Sequence, residues 1–289
     1  MKIGVLAVAV CSAAGVDGAH AQRLLEEWQV RPDAGADAFI GGSPAVFWNP
    51  SQLTVGAGRF EASLLDLRAP GMTGVSGVAL AGAARLQDRT VVALGFEHVG
   101  VDGLEETTTT PEGGAAIAVG ESRFAAAAAH MLSPRLHMGA AVQYTRLPSI
   151  SEQASVLALR VGVRYRPLAR LPLELAAAAT TEGEEEHWLA GAELASGGRW
   201  PEVLLRAQYG AAGGELAPGV THRVALRADW RQLAEVTVGA VSEPDGAARA
   251  LQPVLGAGVT INRYRLGLVR EALPNDFGAA YSFRFAVGF

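Results

Sequence analysis

The chain has 289 residues, 49% of them hydrophobic and 18% charged, with a formal net charge of −5. That length suits one large domain or two small ones, and the acidic balance argues against a nucleic-acid binder, which carries a basic excess. Cys11 is the only cysteine, so no disulfide joins two parts of the chain.

Residues 1–21 read as a secretory signal. Lys2 supplies a positive start, Ile3 to Val10 an apolar stretch, and Ala19-His20-Ala21 a small-x-small cleavage site. The competing reading is a buried N-terminal helix. Cleavage would carry Cys11 away with the signal. No later stretch offers the ~20 uninterrupted apolar residues of a membrane helix. An exported chain of this kind is then either soluble or a β-barrel.

Residues 22–54 have no clear period. Leu24 to Trp28 can form a helical turn, and Gly41-Gly42-Ser43-Pro44 and Trp48-Asn49-Pro50 punctuate the rest of this segment. From about Arg59 the hydrophobic pattern has period two. Leu157, Leu159, Val161, Val163 and Tyr165 share one face, while Ala158, Arg160, Gly162, Arg164 and Arg166 share the other. Successive side chains of a strand point to opposite faces, so this segment is a strand with one greasy and one arginine-bearing side. Leu136 to Tyr144 and Arg223 to Trp230 alternate in the same way. Strands are predicted at about 59–67, 74–86, 90–101, 121–132, 135–146, 154–166, 171–180, 187–196, 202–210, 220–230, 233–242, 250–260, 263–270 and 278–289. The run from Gly113 to Gly120 reads as an extra strand or as part of a loop. Short turns near 87–89, 133–134, 167–170, 197–198, 231–232 and 261–262 alternate with longer links near 102–120, 147–153, 181–186, 211–219, 243–249 and 271–276. Transmembrane barrels show this asymmetry of short periplasmic turns and longer outer loops.

The expected fold is therefore all-β: a transmembrane antiparallel up-and-down β-barrel of about fourteen strands. Residues 1–21 are the signal, 22–54 an N-terminal segment and 55–289 the barrel, and the chain belongs in the bacterial outer membrane among its lipids. A soluble sandwich also alternates apolar and polar residues. Against it, Tyr144, Tyr165, Trp188, Tyr209, Trp230, Tyr264, Tyr281 and Phe289 fall near strand ends, where rings suit a membrane interface. The last strand sets Tyr281, Phe283, Phe285, Val287 and Phe289 on one side. Its aromatic end resembles the signal read by the barrel assembly machinery.

No catalytic motif is present: no G-x-S-x-G, no H-E-x-x-H and no P-loop. The six histidines lack metal-ligand spacing, so neither enzymatic activity, nor a cofactor, nor a metal is expected. Arg160, Arg164, Arg166, Arg223, Arg227, Arg265 and Arg284 fall on the inward faces. They either select anions in an open pore or pair with inward acids such as Asp229 and Glu235 or with the N-terminal segment. The acidic run from Glu182 to Glu186 reads as a solvated outer loop, with a divalent-cation or lipopolysaccharide bridge as the sharper alternative.

Ala45-Val46-Phe47-Trp48-Asn49-Pro50-Ser51-Gln52-Leu53, after its glycine-rich stretch, resembles the YWNPAGL motif of the PorV/PorQ-type outer-membrane proteins. These are relatives of the FadL-type transporters of hydrophobic compounds. Ser51-Gln52 replaces the usual Ala-Gly pair, and the chain is short for the family, which implies trimmed outer loops. The resemblance implies a fourteen-stranded barrel whose N-terminal segment plugs the lumen as a hatch containing Trp48, Asn49 and Pro50. Asn49 precedes a proline and is pushed to an extended conformation. Its amide would reach lumen-facing groups and Trp48 would fill space between strands; the alternative is a plain turn into the first strand. By this resemblance the protein is a secretion-associated shuttle or anchor, with secretion-system components as partners. The alternative is a FadL-like channel for small hydrophobic ligands, with a lateral opening where Gly74, Gly77 and Gly82 bend strand two. A general polar pore is a third, weaker reading.

Overall fold

The computed structural model describes residues 30–289 except 57, 71–74, 106–115, 149–152, 168–171, 184, 197–201, 215–218, 246–247 and 274–277. The signal and the Leu24 to Trp28 turn lie outside the described residues. Three 3₁₀ turns come first, Asp37–Phe39, Ser43–Phe47 and Pro50–Gln52. Fourteen strands follow: β1 Phe60–Arg68, β2 Val75–Gln87, β3 Thr90–Glu105, β4 Ala116–Ser133, β5 Leu136–Pro148, β6 Gln153–Tyr165 and β7 Leu173–Glu182. The second seven are β8 Glu185–Ala195, β9 Val203–Gly214, β10 Thr221–Trp230, β11 Ala234–Asp245, β12 Ala248–Ile261, β13 Tyr264–Ala272 and β14 Ala279–Gly288.

Each strand pairs antiparallel with its neighbour in sequence, and β1 pairs β14, so the sheet closes. At the seam Leu65 lies opposite Arg284 and Leu67 opposite Ser282. Phe289 finishes the closure. Its amide donates to the Phe60 carbonyl at 2.8 Å, and its own carbonyl accepts from the Arg59 amide at 2.6 Å. Closure leaves no strand edge unpaired, which lipid requires. Among the described residues no helix is long and apolar enough to cross a membrane; the strands do the crossing.

The period-two pattern explains which side is which. Leu94, Leu226 and Leu251 are 68%, 67% and 71% exposed on the outside. An apolar belt this open is stable only against hydrocarbon. Phe60, Tyr165, Trp230, Tyr264 and Phe289 ring one end of the belt, and Tyr144, Trp188 and Tyr209 lie toward the other. The inward positions are instead small or polar. Ala79, Ala81, Ala83, Ala93, Ala125, Ala127, Ala129 and Ala141 line β2–β5, all buried.

The strand bounds match the sequence reading to within a few residues, apart from the outer ends of β3 and β4. Those strands extend to Glu105 and from Ala116, so much of the ambiguous Gly113 to Gly120 run is the beginning of β4. Two of the expected long links are short. β7 and β8 pair as far as Glu182 opposite Glu185, with Gly183 at φ +63° between them. Most of the acidic run is therefore strand rather than a loop. β11 and β12 likewise pair to Asp245 opposite Ala248. Two expected short turns are instead seven-residue connections, 166–172 and 196–202. The length asymmetry between the two ends is weaker than the sequence suggests. Glycines in β2 do not break it either. Val75 to Arg85 pairs continuously with β3, and the register shift falls at Arg85/Gln87. Gly74 lies outside the described residues.

Candidate functional site

Residues Val30 to Val55 lie against the inner face of the barrel. Nearly all are buried, and Ala45, Val46, Asn49 and Ser51 are fully so. A segment with this many glycines and prolines cannot satisfy its backbone in a regular ladder, so side chains do part of that task. Asn49 is the central brace. Its amide nitrogen donates to the Ala38 carbonyl at 3.1 Å, and its Oδ1 accepts from the Ser51 amide at 3.1 Å and the Ser51 hydroxyl at 2.7 Å. Asn49 is extended, at φ −125° and ψ 102°, as a residue before proline must be. Its side chain thus serves the segment itself, not the strands; the expectation that it reaches lumen-facing groups is corrected. Trp48 is buried too, with the Arg31 guanidinium 5.0 Å from its ring centre.

The strands make room for this segment by omitting side chains. A Cβ on Gly139 would stand 2.6 Å from both the Pro50 carbonyl oxygen and the Ser51 amide nitrogen. One on Gly162 would meet Asn49 Oδ1, and one on Gly95 would come within 2.8 Å of Val46 Cγ1. Gly191, Gly210 and Gly256 are similarly covered by Phe39, Ala36 and Ala34. These inward glycines are the residues that sequence reasoning missed. The available signal was glycine recurring at inward positions of β3, β5, β6, β8, β9 and β12.

Polar side chains fasten the segment at a few points. Gln143 donates to the Val46 carbonyl at 3.2 Å. Arg160 donates to the carbonyls of Phe47 and Trp48, the latter at 3.0 Å, and to Thr180 Oγ1 at 2.6 Å. Glu61 accepts from the Ser43 amide at 2.8 Å, Gln208 from the Ala36 amide at 3.0 Å, and Glu97 from the Val30 amide at 2.9 Å. Apart from these, the segment packs Val30, Ile40, Val46, Phe47, Trp48, Leu53 and Val55 against the alanine wall of β2–β5 in one apolar cluster.

The wall from β8 to β13 is different. Arg227 lies 2.9 Å from Asp33, 2.8 Å from Asp229, and against Glu235, which Arg265 also meets. Arg206 joins Glu193 at 2.9 Å to Asp229 at 3.1 Å. Arg223 contacts Glu271 at 2.7 Å, and Arg31 and Asp37 of the segment complete that group. Asp33 lies in the segment, outside the strands. Burial alone would raise its carboxyl, but Arg227, Arg265 and the Gly35 amide hold it below the usual aspartate range.

The other predicted inward arginines separate. Arg164 is 2.6 Å from Glu174. Arg166 reaches the same acid at 2.9 Å but is half-exposed at the end of β6. Arg284 is buried, 3.6 Å from Glu61. Arg123, which sequence reasoning did not single out, sits between Glu121 at 2.6 Å and Glu97 at 3.4 Å. On β14, Phe283 and Phe285 face outward with Phe289, while Tyr281 is half-buried. Among the described residues, no three metal-capable side chains come together.

Similarity to solved structures runs to bacterial outer-membrane barrels. The Ralstonia pickettii toluene transporter TbuX superposes with a TM-score of 0.57 at 13% identity, over 89% of this chain and 95% of that one. A TodX deletion mutant, a monoaromatic hydrocarbon channel, gives 0.56 at 11% identity over 89% and 96%. Omp33 of Acinetobacter baumannii gives 0.53 at 9% identity over 80% and 98%. No protein-family model matches the chain, and no curated sequence does. The fold is that of an outer-membrane β-barrel, and the open apolar belt sets it in the bacterial outer membrane.

Proposed function

We propose that this barrel is a FadL-like channel for small hydrophobic compounds, closed in its resting state by residues 30–55 acting as a plug. One observation carries the reading: eight buried alanines on β2–β5 form an apolar wall beneath the segment. A porin lines its lumen with polar groups around a water column. Here the inward alanines of β2–β5 form an apolar wall, interrupted by Glu97, Glu121, Arg123, Gln143 and Thr145, and the part of the segment that covers the alanines is itself apolar. Displacing that segment would expose this alanine wall, which suits a hydrophobic passenger. The fold shared with hydrocarbon channels supports the same direction. Neither catalytic grouping nor cofactor enters this reading.

The decisive measurement is uptake of a radiolabelled hydrophobic compound by cells expressing or lacking the protein, together with single-channel conductance of the purified barrel. The expected result is faster uptake with little steady conductance. Equal uptake in the two strains sinks the channel reading, and a large steady conductance sinks the plug. The Trp48-Asn49-Pro50 motif supports the competing shuttle or anchor role of PorV/PorQ type. Against it, the connections at the end opposite the termini run only two to ten residues, a small surface for holding cargo proteins. Loss of secreted proteins in the deletion strain, with uptake unchanged, would select the shuttle.

A further inference from the structure

The connections of the barrel sort by charge. At the end where β1 begins and β14 finishes, the six connections (88–89, 134–135, 166–172, 196–202, 231–233 and 262–263) contain seven arginines and two acids, Asp88 and Glu202. At the opposite end, the seven connections contain six acids (Glu106, Glu112, Glu152, Glu184, Glu215 and Asp276) and no arginine or lysine. Neither the fold nor the lumen requires this division.

Arg59, Arg89, Arg135, Arg166, Arg231 and Arg263 are all exposed. They are spread around the perimeter, from β1 through the turns to β13. Four of them adjoin an exposed ring in sequence: Arg59 beside Phe60, Arg166 beside Tyr165, Arg231 beside Trp230, and Arg263 beside Tyr264. The Arg263 guanidinium lies 5.2 Å from the Tyr264 ring centre and 5.4 Å from that of Phe289, and Arg231 lies 5.9 Å from that of Trp230. Arg231 pairs with Glu202 and Arg166 with Glu174. Among the described residues, Arg59, Arg89, Arg135 and Arg263 have no acid partner.

Exposed rings mark the level where hydrocarbon gives way to headgroups. An arginine one residue beyond a ring, and stacked on it, holds its planar fork at the depth of lipid phosphates. That fork matches a phosphate bidentately. Basic residues beside a membrane are drawn to an anionic surface, and their contributions accumulate. A soluble acidic partner would cover one sector, whereas these arginines surround the barrel, as lipid does. We propose that this end is a ring-shaped binding surface for anionic phospholipid headgroups. It selects an anionic leaflet. The proposal does not depend on what passes through the lumen.

The test uses the full barrel in phosphatidylcholine bilayers containing either spin-labelled phosphatidylglycerol or spin-labelled phosphatidylcholine. The motionally restricted spectral fraction gives relative association constants. Phosphatidylglycerol is expected to be preferred by roughly threefold or more. The preference should collapse in a variant carrying Arg59→Gln, Arg135→Gln, Arg231→Gln and Arg263→Gln, and in 1 M salt, where charges are screened within ~3 Å. It should survive Arg68→Gln with Arg146→Gln at the other end. The heat-dependent gel shift of a folded barrel shows that each variant has assembled. Equal association of the two lipids with the native barrel overturns the proposal, as does an unchanged preference in the fourfold variant. Competition by millimolar inorganic phosphate would mark a general anion site, and binding of polyglutamate without lipid preference would mark a protein-docking surface; either result overturns it too.

Discussion

The two sides of the lumen hold the same segment by different physics. On the β2–β5 side, alanines and a glycine meet Val46, Phe47 and Leu53 in an apolar cluster with few polar fastenings. On the β8–β13 side, Asp33, Asp37 and Arg31 enter networks of buried or half-buried arginines and carboxylates. The first kind of contact is non-directional and depends on shape. The second is directional and has a high cost of disruption, because removing one partner strands the others. A segment held this way can lose one attachment and keep the other.

The largest expected effect comes from breaking the charged side. Arg227→Ala removes the cation shared by Asp33, Asp229 and Glu235, and the loss of one partner from a buried network costs about 3 kcal/mol or more. Urea unfolding of the bilayer-inserted barrel measures it. A loss below about 1 kcal/mol would mean that solvent or Arg265 replaces Arg227, and that the charged side anchors little. Next comes the glycine contact on the apolar side. Gly139→Val drives side-chain atoms into the Pro50–Ser51 backbone, and overpacking of this kind costs about 1–3 kcal/mol. The barrel can relieve it by expelling the segment. Protease sensitivity within residues 46–52 should therefore rise while the strands stay resistant. Unchanged cleavage would show that the β5 wall yields instead.

The sequence disclosed the wall far better than what the wall holds. Period two sufficed for β6, because Leu159, Val161 and Val163 against Arg160, Gly162 and Arg164 leave one choice of face. Lipid outside and small residues inside enforce that alternation over every strand. The ends were less legible. Whether Glu182 and Glu185 pair or loop is decided by one glycine with positive φ, and composition favoured the loop. The segment was legible only as punctuation. Two of its three 3₁₀ turns reflect Pro44 and the Asn49-Pro50 pair, but its route depends on inward glycines from β3 to β12 that no local pattern connects. Asn49 shows the limit well. Its extended backbone is set by Pro50, whereas its bond to the Ala38 carbonyl depends on where the chain has returned.

The smallest expected effect separates the two sides by acidity alone. The Asp33 carboxyl lies below its ordinary range because Arg227 and Arg265 outweigh its burial. A carboxylate lowered on folding contributes its full stabilisation above its unfolded pKa and loses it as the pH falls through the lowered value. Below about pH 4, the attachment of Asp33 to β10 should therefore begin to weaken. The alanine side has no such group at Val46 or Phe47, so its packing should not change in step. Hydrogen exchange at the Ala34 and Ala36 amides should accelerate on acidification before exchange at Val46 and Phe47, once the intrinsic pH dependence is divided out. In Asp33→Asn the difference should vanish, because the side chain no longer titrates. Simultaneous acceleration at all four amides would show that the segment leaves the wall as one body, and that the two sides, though different in chemistry, are a single attachment.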